Sequence, residues 1–531
     1  MINIGNRLEL FVDKHLIEEL RGARLKLAEP KSAGLALDFK KPWEGIHPYY
    51  MNIVQDGKKC MMYYRGVDCE KLGVVGMKDG YDSEWTCYAE STDGVHWEKP
   101  ELGLFEVMGT KKNNIVLAGE PPWSSDFMAF LDTKPGVPES ERFKSTAGMG
   151  SNMNCFRKGW LPIERSGIHA FVSPDGIHWK KFRKDRIFDD GTRVFDGMNQ
   201  AFWSEHEQCY VMYYRQHTVL DTLELVTTDK HRQEYAKTVA RTTSKDFINW
   251  SGRHMLDWGG RHPTDKECLY CNGLRPYQRA PHIYIGLATR FMQGRTALTE
   301  EQAASLADAL VKDGWQDPRK WFGETTPQNW LRNDCNDTCM ITSRGGDKID
   351  RTFGEAFVRP GIGYNNWTSR TNYTTLGVVQ TGPAELSLYT LRNYAQADPW
   401  LERLTIRLDG FASVNAPYEG GELLTKAFQF SGKELVINYA TGASGFVKVE
   451  IQEDNPAHEV ADPEPPGRPI PGFTADDCVE IIGDEIEHVV KWNSESVRER
   501  GGSPDVSKLA GKNVRLRLAM KDADLYSFRF R

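Results

Sequence analysis

The chain has 531 residues, which is more than one ordinary hydrophobic core accommodates, so two or more units are expected. A net charge of −7 and a pI near 6.1 argue against a nucleic-acid or anionic-membrane partner. The sequence contains neither a long uninterrupted apolar run nor a charged leader followed by one. We therefore predict no membrane span and no signal peptide, and expect a cytoplasmic location unless a leader has been removed.

A short cassette recurs along the chain: an apolar strand, a tight turn and a tryptophan. It occurs as Ser91–Trp97 and Ser173–Trp179, each with an Asp-Gly turn, and in a looser copy as Ser244–Trp250. The tetrapeptide Met62–Arg65 recurs as Met212–Arg215, each about thirty residues before a cassette. Such repeats of strands and turns predict a propeller of four-stranded blades, in which each cassette tryptophan packs between blades.

Five blades are predicted in chain order. Their strands are expected at Tyr50–Val54, Cys60–Arg65 and Thr86–Glu90; at Phe127–Leu131, Phe143–Gly148 and Ile168–Val172; at Gln200–Trp203, Tyr210–Arg215 and Thr238–Thr242; from Leu269, at Ile283–Ala288 and at Cys339–Ser343; and at Tyr373–Val379, Leu386–Leu391 and Leu404–Leu408. An insertion in blade four, Leu298–Val311, has helical spacing. The N-terminal strand Leu8–Val12 is predicted to pair with the last blade and close the ring, which removes exposed sheet edges.

From about residue 416 the pattern changes to strands that alternate apolar and polar residues. This alternation is typical of an antiparallel sheet with one buried face. The predicted fold class is therefore all-β: a five-bladed β-propeller over residues 1–415, followed by a β-sandwich over residues 416–531.

The innermost strands of a propeller start around its central axis, so the residues just before them converge on one pocket. Four of the five blades carry an acid there, namely Glu44, Asp126, Asp196 and Glu267. Glycoside hydrolysis needs such a set, because one carboxyl protonates the leaving oxygen while another attacks the anomeric carbon or activates water. A further carboxylate nearby can raise the pKa of the proton donor. Each acid alone could be a capping or turn residue, so the prediction depends on the occurrence of all four acids around one axis.

Other side chains near these acids are predicted to bind the sugar. The aromatic candidates for stacking are Trp43, Tyr49, Trp123, Trp203 and Tyr270. The candidates for binding hydroxyls or a substrate acid are Asn199, Arg279, His282, Arg290 and Arg370. The repeated arginines Arg65 and Arg215 are interpreted as structural residues that hold a blade turn or an acid in place.

The ten cysteines are scattered along the sequence. The pairs Cys268/Cys271 and Cys335/Cys339 leave a structural zinc site open as an alternative. The first pair lies in a strand-like segment that lacks the glycine-rich turn of a zinc knuckle, so buried free thiols are expected. No metal or other cofactor is predicted.

Six motifs spread over nearly the whole chain resemble a known group of enzymes. They are Leu10–Asp13, Pro42–Gly45, Phe195–Asn199, Arg279–His282, Arg407–Phe411 and Asp524–Phe528. On these motifs the chain resembles the five-bladed propeller glycosidases of glycoside hydrolase families 32 and 43, and most closely the family 32 N-terminal-like proteins. The resemblance implies a sugar-cleaving pocket in which Glu44 is the nucleophile or base, Asp126 a helper and Asp196 the proton donor.

We therefore predict an exo-acting glycoside hydrolase that cleaves an oligosaccharide or glycoside, with Asp126 and Glu267 holding and tuning the sugar. One alternative is a carbohydrate-binding propeller without catalysis. Another is a glycoside phosphorylase, in which Arg279, Arg290, Arg370 or His282 would bind phosphate. The sequence leaves the sugar, the linkage, the stereochemistry and the oligomeric state open.

Overall fold

The computed structural model describes residues 2–69, 83–120, 123–124, 126–150, 166–191, 195–219, 235–264, 266–320, 330–454, 467–493 and 502–531. Regular structure in these ranges is almost entirely β-strand. Among the described residues, no helix is long and apolar enough to cross a membrane.

Five separate antiparallel sheets follow one another along the chain and confirm the predicted five-bladed propeller. Blade one contains Asn52–Asp56, Lys59–Val67, Glu84–Ser91 and Ile115–Leu117; blade two contains Phe127–Leu131, Phe143–Met149, Gly167–Ser173 and Lys180–Lys181; blade three contains Gln200–Ser204, Cys209–Val219, Tyr235–Ser244 and His254–Met255. Blade four contains Cys268–Cys271, Arg275–Tyr277, Ala280–Met292 and Cys335–Ser343; blade five contains Tyr373–Thr374, Val379–Gly382, Glu385–Arg392, Trp400–Arg407 and Lys31–Asp38. Apolar clusters shared by adjacent blades form the propeller core.

The ring closes through a strand other than the predicted one. Lys31–Asp38 pairs antiparallel with Trp400–Arg407, so an N-terminal segment supplies the outermost strand of blade five. The strand expected to do this, Leu8–Val12, pairs instead with the C-terminal strand, in the register Glu9↔Phe528. Residues 8–12 and 31–38 both precede blade one, and their composition does not distinguish which of the two reaches blade five.

Helices are few. The insertion in blade four forms one α-helix, Glu300–Lys312, which begins at Thr299 with reciprocal hydrogen bonds between Thr299 and Gln302. Short 3₁₀ helices lie at Glu139–Glu141, Pro318–Lys320, Trp330–Arg332, Tyr364–Trp367 and Ser507–Leu509.

The second unit consists of the N-terminal residues up to Glu29 together with residues 382–386 and 406–531. The domain limits therefore differ from the expected 1–415 and 416–531, because N-terminal strands join the C-terminal sheet. Its eleven strands are Ile2–Gly5, Glu9–Leu10, Ile17–Arg21, Arg24–Leu27, Ala412–Ala416, Gly421–Thr425, Phe428–Phe430, Leu435–Asp454, Gly467–Pro469, Asp484–Val489 and Val514–Phe530.

The two longest strands of this unit, Leu435–Asp454 and Val514–Phe530, pair along their lengths with register shifts. Side chains from both halves of each strand enter the same apolar core. The sheet therefore folds over a single core, as the predicted β-sandwich does.

The cassettes form the same hydrogen-bonded turn in blades one, two and three. In the second copy, the Ser173 hydroxyl accepts from the Gly176 amide at 2.9 Å. The Asp175 carboxylate accepts from the amides of Ile177 and His178 at 2.9 and 2.8 Å. These bonds satisfy the turn locally, so the cassette acts as a structural element, as the repeat predicts.

Each cassette also fixes a contact with the preceding blade. The Tyr63 hydroxyl of blade one donates to the Gly176 carbonyl at 2.7 Å, and Trp179 lies edge-on to Tyr63 with ring centroids 5.9 Å apart. The third cassette has Phe247 where the others have glycine, and Phe247 keeps a positive φ of 68°. Its ring packs on Phe130 of blade two, at 5.6 Å between centroids.

A substitution at this turn tests the blade contact. A Cβ at Gly176 would lie 2.7 Å from the Tyr63 hydroxyl and 2.8 Å from the Met61 sulfur, at a φ of +77°. Gly136 has a similar φ of +82°, but a Cβ added there would have no other atom within 4 Å. We expect Gly176→Ala to lower the free energy of unfolding by about 2–4 kcal/mol, since it adds overpacking to backbone strain, and Gly136→Ala by about 1 kcal/mol. Thermal unfolding of both variants measures the difference, and equal shifts would contradict the proposed contact.

Candidate active site

Asp196 lies in the segment leading into the first strand of blade three, and three donors hold its carboxylate. The Gly197 amide donates to Oδ1 at 2.8 Å, the Tyr50 hydroxyl donates to the same oxygen at 3.2 Å, and Arg215 forms an ion pair with Oδ2. Burial raises the pKa of Asp196, but the charge of Arg215 and the Gly197 amide outweigh it, so this pKa lies below the ordinary 3.8. Asp196 is therefore ionised at neutral pH.

Arg215, the arginine of the second Met-Tyr-Tyr-Arg copy, connects this carboxylate to blade four. Its guanidinium donates to the Tyr270 carbonyl and lies 3.8 Å from the centroid of the Tyr270 ring. The arginine of the first copy, Arg65, has different partners: the His47 carbonyl at 3.2 Å and the Tyr394 hydroxyl at 3.0 Å. Arg215 thus holds an acid, as interpreted from the sequence, and Arg65 adds to its carbonyl and tyrosine partners a longer ion pair of 3.8 Å with Glu84.

Asp126 of blade two is completely buried beside the segment that carries Asp196. The Met198 amide donates to its Oδ1 at 2.8 Å, and the Asn199 side chain donates to its Oδ2 at 3.1 Å. Burial, together with the charge of Asp196, raises the pKa of Asp126 to about 7 despite these hydrogen bonds. The two carboxyl groups therefore differ in protonation: at slightly acid pH Asp126 carries a proton and Asp196 does not.

Tyrosines from blades one, four and five form a wall beside the two acids. Tyr49 lies with its ring centroid 4.2 Å from that of Tyr50 and 4.4 Å from that of Tyr373. The rings of Tyr373 and Tyr270 are nearly parallel, with centroids 5.7 Å apart. Flat aromatic faces of this kind can stack on the apolar face of a sugar ring.

Two further cations flank this wall. The Lys237 ammonium lies 5.0 Å from the centroid of the Tyr270 ring, and the Arg370 guanidinium lies 5.9 Å from the same centroid. With Arg215, three positive side chains surround one tyrosine. The site therefore combines one ionised carboxylate with several cations and aromatic faces.

The backbone is strained where it enters this site. Tyr50, Met198 and Arg370 have positive φ values of 53°, 63° and 61°. A Cβ at Gly197 would lie 1.7 Å from the Tyr50 ring, so only glycine permits this approach. Backbone strain costs on the order of 1–3 kcal/mol per residue and tends to accumulate at functional sites.

The structure brings together Asp126 and Asp196 but not the other two predicted acids. Glu44 is buried within blade one, where Lys99 and the Tyr64 hydroxyl contact its Oε1 at 2.6 and 2.7 Å. Glu267 forms an ion pair with Arg351. Glu44 and Glu267 therefore have partners outside the group that Asp126 and Asp196 form, and their catalytic roles stay predictions from the sequence.

Of the predicted aromatic residues, Tyr49 and Tyr270 line the site. Trp43 instead donates to Asn114 at 2.7 Å within blade one. Trp123 packs on His169 of blade two with centroids 4.2 Å apart, and Trp203 packs edge-on to Tyr210 at 5.1 Å. These three tryptophans pack within or between blades, which is the usual place for a large apolar ring.

Of the predicted polar residues, Asn199 and Arg370 belong to the site. Arg279 and His282 lie at the hairpin that follows Arg275–Tyr277, and His282 faces His206, which lies in the equivalent hairpin of blade three. These hairpins are at the opposite strand ends from Asp196. Arg290 binds Asp337 through two hydrogen bonds of 2.8 and 2.7 Å. The structure therefore does not support the predicted binding roles of Arg279, His282 and Arg290.

Sequence reasoning missed Tyr50, Lys237 and Tyr373 as site residues. Tyr50 follows Tyr49 directly before the first strand of blade one, and Tyr373 begins the first strand of blade five, so their positions alone could have indicated them. Lys237 lies near the start of a third strand, opposite His217. No local sequence signal distinguishes it from other lysines.

The structure provides no support for the zinc alternative. The described cysteines, including Cys268, Cys271, Cys335 and Cys339, are free thiols. Among the described residues, no group of three or more His, Cys, Asp or Glu side chains could hold a metal ion.

This arrangement defines the class of protein as a five-bladed propeller with an acid-, cation- and tyrosine-lined axial site. No protein-family model matches the sequence, and no curated protein shows a significant match. Solved structures show more distant similarity. One titled "Glycoside hydrolase" is 12% identical, with a TM-score of 0.42, covering 72% of this chain and 92% of its own.

Two further solved structures have comparable similarity. An N-acetylgalactosamine deacetylase from F. plautii, in complex with blood group B trisaccharide, is 11% identical, with a TM-score of 0.38, covering 73% of this chain and 96% of its own. A glycosyl hydrolase from Bacteroides ovatus is 12% identical, with a TM-score of 0.35, covering 72% of this chain and 93% of its own. At these identities the neighbours do not define the reaction of this chain.

The raised pKa of Asp126 predicts a specific pH dependence of stability. Between its unfolded value near 3.8 and its folded value of about 7, the folded protein retains a proton that the unfolded chain releases. The free energy of unfolding therefore falls as pH rises through this window, by at most about 4 kcal/mol from this group. In Asp126→Asn this contribution is absent, so the variant should gain stability relative to the wild type between pH 4 and pH 7. Denaturant unfolding at several pH values measures the difference, and parallel curves for the two proteins would contradict it.

Proposed function

We propose that the protein is a glycoside hydrolase whose reaction takes place at the axial site. The observation that supports it is the buried carboxylate of Asp196, which Arg215 and the Gly197 amide keep ionised beside the tyrosine wall. Glycosidases use an ionised carboxylate of this kind as nucleophile or base. The adjacent tyrosine wall suits a sugar ring.

In this proposal Asp196 is the catalytic residue and Asp126 a positioning residue. The Asp196 side chain retains 12% exposure, whereas Asp126 has none. Because Arg215 keeps Asp196 ionised, we assign to Asp196 the role of nucleophile or base. The sequence had led us to expect that Asp196 is the proton donor. Asp126 acts through the hydrogen bonds that it accepts from Met198 and Asn199, which fix the segment carrying Asp196.

Tyr50 is the proposed donor toward the leaving oxygen. Its hydroxyl already donates to Asp196, and burial, with the charge of Asp196, raises its pKa well above 10, so it keeps its proton at neutral pH. In the overall reaction, water oxygen bonds to the anomeric carbon, the glycosidic C–O bond breaks, and Tyr50 gives its proton to the leaving oxygen. The proton that water loses passes to Asp196 and from there to Tyr50, which restores both groups. The exo-acting mode stays a prediction from the sequence.

Substitution of single acids tests this proposal. We expect Asp196→Asn to lower kcat/KM by roughly 10²–10⁴-fold, because the amide cannot act as nucleophile or base. Glu267→Gln serves as the matched control and should leave kcat/KM nearly unchanged, because Glu267 pairs with Arg351 outside the site. The assay compares the wild type and both variants on a panel of aryl glycosides and oligosaccharides.

Circular dichroism and thermal unfolding establish that Asp196→Asn is folded. Turnover that is equal in Asp196→Asn and the wild type would contradict the proposal. Sugar binding by the wild type without turnover on any member of the panel would favour the non-catalytic alternative.

A further inference from the structure

Lys237 and Arg370 lie on the same two aromatic rings. The Lys237 ammonium is 4.7 Å from the Phe291 ring centroid and 5.0 Å from that of Tyr270. The Arg370 guanidinium is 5.5 and 5.9 Å from the same two centroids. Two cations from different blades are therefore held together at one side of the tyrosine wall.

Within the described ranges, Lys237 has no carboxylate at ion-pair distance. Burial and the charges of Arg370 and Arg215 lower the pKa of Lys237 to about 8, which shows that its charge is poorly compensated. Two neighbouring cations repel each other in a partly dehydrated site, and an anion between them would relieve that repulsion.

Tyr373 supplies a further unsatisfied group at this place. The residue is 3% exposed, and its hydroxyl has no hydrogen-bond partner among the described residues. Its ring stacks on that of Tyr270 and lies 4.4 Å from that of Tyr49, and the charge of Arg370 acts on its hydroxyl. A buried hydroxyl without a partner is unfavourable unless a ligand supplies an acceptor.

We propose that Lys237, Arg370 and the Tyr373 hydroxyl form an oxyanion subsite beside Asp196 that binds the carboxylate of an acidic sugar. The proposal rests on the glycoside hydrolase function and specifies its substrate as a uronic-acid glycoside. A carboxylate fixed to the sugar ring would orient that ring against the tyrosine wall. Two charged donors and one neutral hydroxyl match the acceptor oxygens of a carboxylate.

Inorganic phosphate has the same oxyanion chemistry and could occupy the subsite as a co-substrate. In that case an oxygen of hydrogen phosphate would bond to the anomeric carbon, the glycosidic C–O bond would break, and the proton of hydrogen phosphate would go to the leaving oxygen. The product would then be a sugar phosphate and not a free sugar. Comparing the binding of acidic sugars with that of phosphate shows which of the two oxyanions the subsite takes.

The test measures binding to the full chain by calorimetry, with glucuronic acid against glucose and galacturonic acid against galactose. We expect at least one acid to bind about tenfold more tightly than its neutral counterpart, since charge-assisted hydrogen bonds have this magnitude. Lys237→Met should abolish the preference and Lys237→Arg should keep most of it. Lys134→Met is the matched control, because Lys134 also lies over two rings, Trp203 and Tyr210, at 5.4 and 5.3 Å, but away from the axis.

The outcomes are distinct from those for the hydrolase proposal, because binding requires no turnover. Equal binding of acidic and neutral sugars, unchanged in Lys237→Met, would overturn the subsite even if Asp196→Asn is inactive. Conversely, a Lys237-dependent preference for the acid would support it even if no glycoside is cleaved. Phosphate binding lost in Lys237→Met, with release of a sugar phosphate, would support the oxyanion subsite but overturn its assignment to a sugar carboxylate.

Discussion

The buried ion pair between Asp196 and Arg215 is the interaction on which the site depends. Arg215 binds Asp196 within blade three and the Tyr270 carbonyl of blade four. Its backbone amide binds Asn199, which in turn binds Asp126 of blade two. Three blades are thus connected through one arginine, by its guanidinium and its backbone amide. Removal of one partner from a buried pair typically costs about 3–5 kcal/mol, so this pair determines the integrity of the site as well as its charge.

Burial at the axis determines the charge of every other group there. It raises the pKa of Asp126 and lowers that of Lys237, and it lowers the pKa values of His47 and His217 to about 3, with help from neighbouring arginines. Both histidines are therefore neutral at physiological pH. The fixed charges around Tyr270 are the carboxylate of Asp196 and the cations Arg215, Lys237 and Arg370, with Asp334 acting on Arg370. This excess of positive charge favours an anionic ligand.

The cassette repeat, together with the strand pattern further along the chain, was sufficient to predict the five blades, but only part of the site. Tyr63 and Tyr213 hold the same place in the two Met-Tyr-Tyr-Arg copies and pair with Asn52 and Gln200. Asp196 precedes Gln200 by four residues, whereas Glu44 precedes Asn52 by eight. With this longer segment before the strand, the Glu44 side chain lies in the interior of blade one. The number of residues before the first paired residue, which the sequence does not reveal directly, therefore distinguishes the acid that lies beside Asp126 from the one that does not.

The repeat breaks at the interface where the two acids meet. The first serine of each cassette pairs with a residue of the neighbouring strand, and the residue three positions after that partner is equivalent in the three blades. It is Tyr63 in blade one and Tyr213 in blade three, but Thr146 in blade two. The third cassette, which follows this blade, has Phe247 where the others have glycine, and its ring packs on Phe130 of blade two. The Thr146 hydroxyl donates to the Asn199 carbonyl, in the segment that holds Asp126 and carries Asp196. A tyrosine at this position could not make that short contact. The departure from the repeat therefore joins the scaffold to the site, because Thr146 stands where blades one and three have tyrosine and fixes the segment between the two acids.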